Sequence, residues 1–125
     1  MRPILSAIVL GAVLALSGCA SSRAPIGVDK TAPAPVQAAQ AALAEGWILV
    51  AAVSDVVARQ KRDGVITAAE RDIYTAKLDE QVAALEKAED LIATNAPLAA
   101  SRASATKALL LLLQREIASK ARSQK

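Results

Sequence analysis

Apolar residues recur every three or four positions from Val36 to Ile117, and only Asp63-Gly64 and Asn95-Ala96-Pro97 interrupt the pattern. That spacing is the stripe of an α-helix, and a stripe of this length with two punctuation points dictates three helices. Thirty alanines and no Phe among 125 residues favour long, closely packed helices over sheets.

The first helix is expected to start at Pro35, whose missing N–H costs nothing there, with Val36, Ala39, Leu43, Val50, Val53 and Val57 in one stripe. Trp47 lies beside that stripe. Arg59, Lys61 and Arg62 fill the last turn, where cations complement the dipole, and Gly64 suits the left-handed residue that terminates a helix. Thr67-Ala68-Ala69-Glu70 matches a capping box and opens the second helix. Its Leu78, Leu85 and Ile92 repeat every seven residues, with Tyr74, Val82 and Ala88 between them. The third starts near Pro97 and sets Ala103, Leu109, Leu113 and Ile117 on one side.

Helices over about 36–62, 67–94 and 97–120 joined by short connections alternate in direction, so an all-α, antiparallel, up-down-up three-helix bundle is expected over 36–125, after a flexible tether. Trp47, Leu78, Leu85, Ile92, Leu113 and Ile117 are its core candidates. From Glu70 to Asp90 seven acids stand against three bases, a balance of −4; from Pro97 onward six bases face only Glu116, a balance of +5. Helices two and three should therefore attract one another.

Five successive leucines, Leu109, Leu110, Leu111, Leu112 and Leu113, exceed what one narrow stripe can hide. Unless the third helix is central and buries them all, some are exposed and mark a surface for self-association, for an envelope protein partner or for membrane.

Chemistry is constrained by what is missing. With no His and one Cys, a zinc site of the usual N/S type, an intrachain disulfide and a His-based triad are all excluded. A net charge of +3 with Trp47 and Tyr74 as the only aromatics gives no footprint for nucleic acid. Asp63 to Glu70 imitates the second half of a calcium loop, but the first and third ligand positions would be Arg59 and Lys61. Asp79/Glu80 and Glu86/Glu89/Asp90 alternate with Ala and Lys as a solvated face does. Ser101, Ser104 and Thr106 lack a base other than nearby Lys107. No catalytic residue, metal or cofactor is expected.

The N-terminus is more specific. Met1-Arg2 gives a positive start and Ile4 to Leu16 an apolar stretch of about a dozen residues, long enough for an export signal and too short to span a bilayer. Leu16-Ser17-Gly18-Cys19 follows directly and resembles the lipobox of bacterial lipoproteins. The resemblance implies diacylglycerol on the Cys19 sulfur, cleavage between Gly18 and Cys19, and an N-acyl chain on the new amino group. Several chains, each CH₂ contributing about 0.8 kcal/mol, hold durably where one would not. The signal would then be residues 1–18, and their removal takes one Arg, so the charge falls from +3 to +2. Residues 19–35 form the lipidated cysteine and a Pro/Ala-rich tether. About 15 such residues reach roughly 45 Å.

In Gram-negative lipoproteins of the enteric type an Asp after the cysteine favours retention in the inner membrane; Ala20 and Ser21 stand there, which implies the periplasmic face of the outer membrane. In a Gram-positive host the same anchor implies the outer face of the cytoplasmic membrane. Cys19 with the terminal Lys125 is also similar to the murein lipoprotein, which is joined to peptidoglycan through its last lysine, although the breaks at Gly64 and Pro97 depart from its single long helix. The expected function is a non-catalytic, membrane-anchored interaction or structural module of the envelope, bacterial or prophage-encoded. The alternatives are a cell-wall-acting enzyme or accessory factor, in which the helix-two acids would line a cleft, and a murein-linked lipoprotein.

Overall fold

The computed structural model describes residues 27–124, which form three helices: Ala34–Arg62 (α1), Ala68–Leu91 (α2) and Ala96–Ser123 (α3). Pro33 caps α1 and Pro35 occupies its first turn, so the helix begins slightly before the expected start. The Asp29 carboxylate accepts from the Thr31 amide at 2.9 Å and hydroxyl at 2.6 Å, and Gln37 Nε2 donates to the Ala32 carbonyl at 2.7 Å. The Gln37 bond, with that of the Asp29 amide to Gln40 Oε1 at 2.8 Å, ties residues 29–32 to the start of α1. At the other end Asp63 is the C-cap, and Gly64, at φ +75°, takes the left-handed conformation that only glycine adopts without strain.

Both halves of the expected capping box form: the Glu70 amide donates to Thr67 Oγ1 at 3.1 Å, and the Thr67 amide to Glu70 Oε2 at 2.9 Å. α2 ends at Leu91, three residues short of the expected 94, where the Ile92 and Thr94 amides bond to carbonyls only three residues back, Glu89 at 3.1 Å and Leu91 at 3.2 Å, and Asn95 leaves the helical conformation at φ −154°. Asn95 then caps α3 by accepting from the Leu98 amide at 3.2 Å, with Pro97 in the first turn. α3 continues to Ser123, slightly beyond the expected 120.

The core is stacked in layers that reveal the helix directions. Val53 and Val57 of α1 meet Tyr74 and Leu78 of α2 and Leu110, Leu113 and Ile117 of α3. One layer along, Leu43 and Trp47 meet Leu85, Ala88 and Ala103, and beyond that Ala39 meets Ala96 and Ala99. Advancing along α1 thus means retreating along α2 and advancing along α3, which is the up-down-up, antiparallel three-helix bundle. α1 packs more extensively on α3 than either packs on α2. The Ala-rich layer lies at the start of α1, and Gly46 lets α1 and α2 approach closely: a Cβ there would stand 2.7 Å from Leu85 Cδ2.

Of the core candidates, Trp47, Leu78, Leu85, Leu113 and Ile117 are buried and Ile92 is half-buried. Ile66, in the α1–α2 connection, is buried and closes that end of the core. One stripe assignment needs correction. Leu109 is half exposed, and Leu110 takes the inward position, because Leu110 lies seven residues from both Ala103 and Ile117 whereas Leu109 is rotated about 100° out of that line.

Among the described residues α1 is the one helix long and apolar enough to cross a membrane by length and composition. In the bundle its stripe is spent on protein: Leu43 and Val53 have no exposed surface, and each can contribute about 1.5–3 kcal/mol through burial.

Candidate interaction surface

Leu16-Ser17-Gly18-Cys19 and Lys125 lie outside the described residues. The leucine run lies within them and divides cleanly. Leu110 and Leu113 are in the core, while Leu109, Leu111 and Leu112 are exposed at 50%, 37% and 57%. Five consecutive residues sweep more than a full helical turn, so no placement of α3 beside two neighbours could hide them all.

The three exposed leucines point in two directions. Lys107 pairs with Glu45 of α1, which fixes the α1 side of α3, and Leu111 follows Lys107 by one turn on that side. Leu109 and Leu112 instead line a depression between α3 and α2 of about 300 Å³, opposite Lys77, Glu80 and Gln81. Two more depressions continue it. One, of about 290 Å³, has Ala83, Ala84, Ala105 and Thr106 between Lys87, Arg102 and Glu80; the other, of about 220 Å³, holds Ile73 and Tyr74 beside Glu70, Glu116 and Lys120. Because Glu80 and Glu116 are each shared by two of them, the three form one groove along the α2–α3 seam.

Small residues on both helices make the groove. Alanine at 83, 84 and 105 leaves the seam unfilled between the buried Leu85 and the exposed rim, so its walls are apolar at the base and charged at the edge. Exposed Ile73 at one end, and exposed Leu98 one helical turn before Arg102 at the other, extend the apolar surface.

The rim charges differ from end to end. At the α3 C-terminal end Lys77 pairs with Glu116 at 3.2 Å and Lys120 with Glu70. The Lys120 ammonium, followed by the Thr67 amide, holds the Glu70 carboxyl below the usual range, and Glu70 in turn raises the Lys120 ammonium. At the other end Lys87 and Arg102 make no ion pair among the described residues. Two ion pairs thus join α2 and α3 at one end; Glu70–Lys120 has the expected polarity, acid on α2 and base on α3, whereas Lys77–Glu116 has the reverse.

The remaining sequence candidates have identifiable roles. Glu70 uses one carboxylate oxygen on its cap and the other on Lys120, so the calcium-like segment is a helix corner. Arg59, at the first position of that imitation, pairs with Asp55. Glu89 accepts from the Trp47 indole N–H at 2.7 Å, a contact spanning 42 residues that no local signal announces. Asp79, Glu80 and Asp90 are exposed. Ser101 and Ser104 are exposed as well, and Lys107 is held by Glu45 on the α1 side rather than beside a hydroxyl. The groove itself could not be read from sequence, although Leu98, Ala105 and Leu112 at seven-residue spacing beside the buried stripe are the signal that would have located its α3 wall. Comparison with family models, with curated proteins and with solved structures found no match to this chain.

Proposed function

We propose that this chain is a lipid-anchored, non-catalytic helical module of the bacterial cell envelope, held at a membrane surface through diacylglycerol on Cys19 and acting by binding. The observation that carries this reading is Leu16-Ser17-Gly18-Cys19 directly after a positive start and an apolar stretch of export-signal length. Ala20 and Ser21 favour the periplasmic face of the outer membrane in a Gram-negative host.

The character of the bundle supports the binding role. Glu70 and Glu116 of the groove are engaged by lysines, Glu89 by an indole, and the apolar wall is lined by alanine and leucine rather than by an acid and a base facing one another. General acid–base work needs a group with a shifted proton affinity aimed at bound substrate. Here the shifted acid, Glu70, is pushed toward staying ionised, the opposite of a general acid.

Membrane fractionation of the full-length chain and of Cys19→Ser in a Gram-negative host tests the proposal. Wild type should be recovered in the outer-membrane fraction and the variant should not. Equal recovery of both in the soluble periplasmic fraction would overturn it.

A further inference from the structure

We infer that the pole of the bundle where α1 begins docks on the bilayer that holds the Cys19 lipid, so that the opposite pole, with Gly64 and the end of α3, points into the aqueous phase. The inference rests on the anchor proposed above and gives the anchored bundle its orientation.

Three observations carry it. The first is where the charges lie. Ala39 packs on Ala96 and Ala99 with Val36, Leu91 and Ile92 around them, so residues 27–44 and 91–101 form one pole. Those two stretches hold Asp29 and Lys30 as their only charged side chains, and the two cancel. At the other pole, where Val57, Ile66 and Ile117 close the core, residues 55–72 and 115–124 hold seven bases and five acids. A charged side chain that must shed water to enter a headgroup layer costs free energy that an uncharged one does not. The α1-start pole is therefore the one that can be pressed against lipid.

The second is that the polar groups of this pole are already satisfied within the chain. The Asp29 carboxylate accepts from Thr31, Gln37 Nε2 donates to the Lys30 and Ala32 carbonyls, Gln40 Oε1 accepts from the Asp29 amide, and Asn95 Oδ1 accepts from the Leu98 amide. Beside them Val28 and Leu98 are 42% and 37% exposed, and Ala93 and Pro97 are exposed as well. Lys30 is also exposed, and its long stem lets the ammonium reach headgroup phosphates.

The third is reach. Because residues 29–32 are bonded to α1, only ten residue steps separate Cys19 from the bundle, which is at most about 36 Å of chain and less unless it is drawn straight. From Ala34 to Arg62 α1 is about 42 Å long. The charged pole could meet the same bilayer only with that chain drawn taut along α1, at the loss of its conformational freedom. The anchor thus makes the bilayer the surface that the uncharged pole meets at the highest effective concentration, and docking has only to select an orientation.

The test uses the lipidated full-length chain in vesicles of phosphatidylcholine and phosphatidylglycerol with a nitroxide on a fraction of the headgroups; the anionic lipid lets the basic pole compete. Cys19 is the sole cysteine and its sulfur is occupied by lipid, so a single fluorophore can be attached at Ala93→Cys, Ile48→Cys or Ser119→Cys, all exposed positions. Ile48 lies about 21 Å beyond the start of α1 and Ser119 about 35 Å beyond the start of α3. At those heights the nitroxide should quench the Ala93 label at least about twofold more than the Ser119 label, with Ile48 between them. Leu98→Glu should at least about halve the quenching at Ala93 while the chain stays with the vesicles; position 98 is in the first turn of α3, where an acid complements the dipole, so circular dichroism should show the bundle intact. Equal quenching at the three sites would overturn the inference, as would quenching greatest at Ile48 or Ser119, or a Leu98→Glu chain quenched as strongly as its parent. A chain whose mass shows no lipid would overturn the anchor and the orientation together, whereas a lipidated chain that fails the quenching test overturns the orientation alone.

Discussion

Leu110→Ala and Leu112→Ala make the same chemical change two residues apart and should have very different consequences. Leu110 has no exposed surface and sits against Val53, Val57, Tyr74 and Leu78. Truncating a buried leucine removes its transfer free energy and leaves a cavity, at a cost of about 2–5 kcal/mol. With about 3 kcal/mol as the working figure and a urea dependence of about 1.5 kcal/mol per molar for a domain of this size, the unfolding midpoint should fall by about 2 M. Leu112 is 57% exposed, so the same truncation should cost less than about 1 kcal/mol and move the midpoint by less than about 0.7 M. Trp47, the single tryptophan, reports both: it is 8% exposed and bonded to Glu89, so its emission shifts when the bundle opens. Equal shifts for the two variants would mean that α3 does not present Leu110 inward and Leu112 outward, which would refute the division of the leucine run and the groove built on it.

Other consequences follow from single contacts. Thr67→Ala removes the acceptor for the Glu70 amide and should cost about 1 kcal/mol in chemical denaturation, whereas Thr67→Ser should restore most of the loss. Glu89→Ala leaves the Trp47 indole N–H without its acceptor and should cost about 1–2 kcal/mol, while Glu89→Gln retains an acceptor and should cost clearly less; equal losses would show that the bond contributes nothing. The Glu70 carboxyl is held below its ordinary value of 4.5, chiefly by Lys120, so its contribution is present above that value and is lost as pH falls through the lower, folded-state value. Lys120 is raised above 10.5, so its contribution is complete at neutral pH and is lost only as pH rises beyond that point. Thermal melts of Glu70→Gln against wild type should therefore differ most above the ordinary value of 4.5 and converge as pH falls through the lowered folded-state value; a constant difference across an acid titration would remove the pair from the pH dependence.

The features legible in the sequence are those set by local chemistry. Gly64 and the Thr67/Glu70 box are self-contained signals, and each forms as read. Direction and order of the helices followed from short connections. The helix ends were displaced where local signals overlap: Pro33 and Pro35 both suit a helix start, and Ile92 continues the seven-residue repeat into a turn where its amide already bonds only three residues back, to Glu89. The leucine run shows the limit most plainly. Its length guaranteed that some leucines would be exposed, but their rotation about α3 depends on whether Leu109 or Leu110 aligns with Ala103 and Ile117, an offset of 100° that a short Ala-rich stripe does not fix. Contacts such as Trp47 with Glu89 and Lys107 with Glu45 join residues 42 and 62 apart and exist only once three helices share one core. The groove belongs to the same class, since it is created by alanines on two helices at once.

The central claim is that Cys19 is the first residue of the mature chain and carries lipid. Intact-mass analysis of the envelope product, followed by fragmentation of its N-terminal peptide, addresses that claim most directly. The expected result is a chain beginning at Cys19, heavier than residues 19–125 by a diacylglycerol and, in a Gram-negative host, an additional acyl chain. An unmodified chain, or one beginning at any residue other than Cys19, would contradict it.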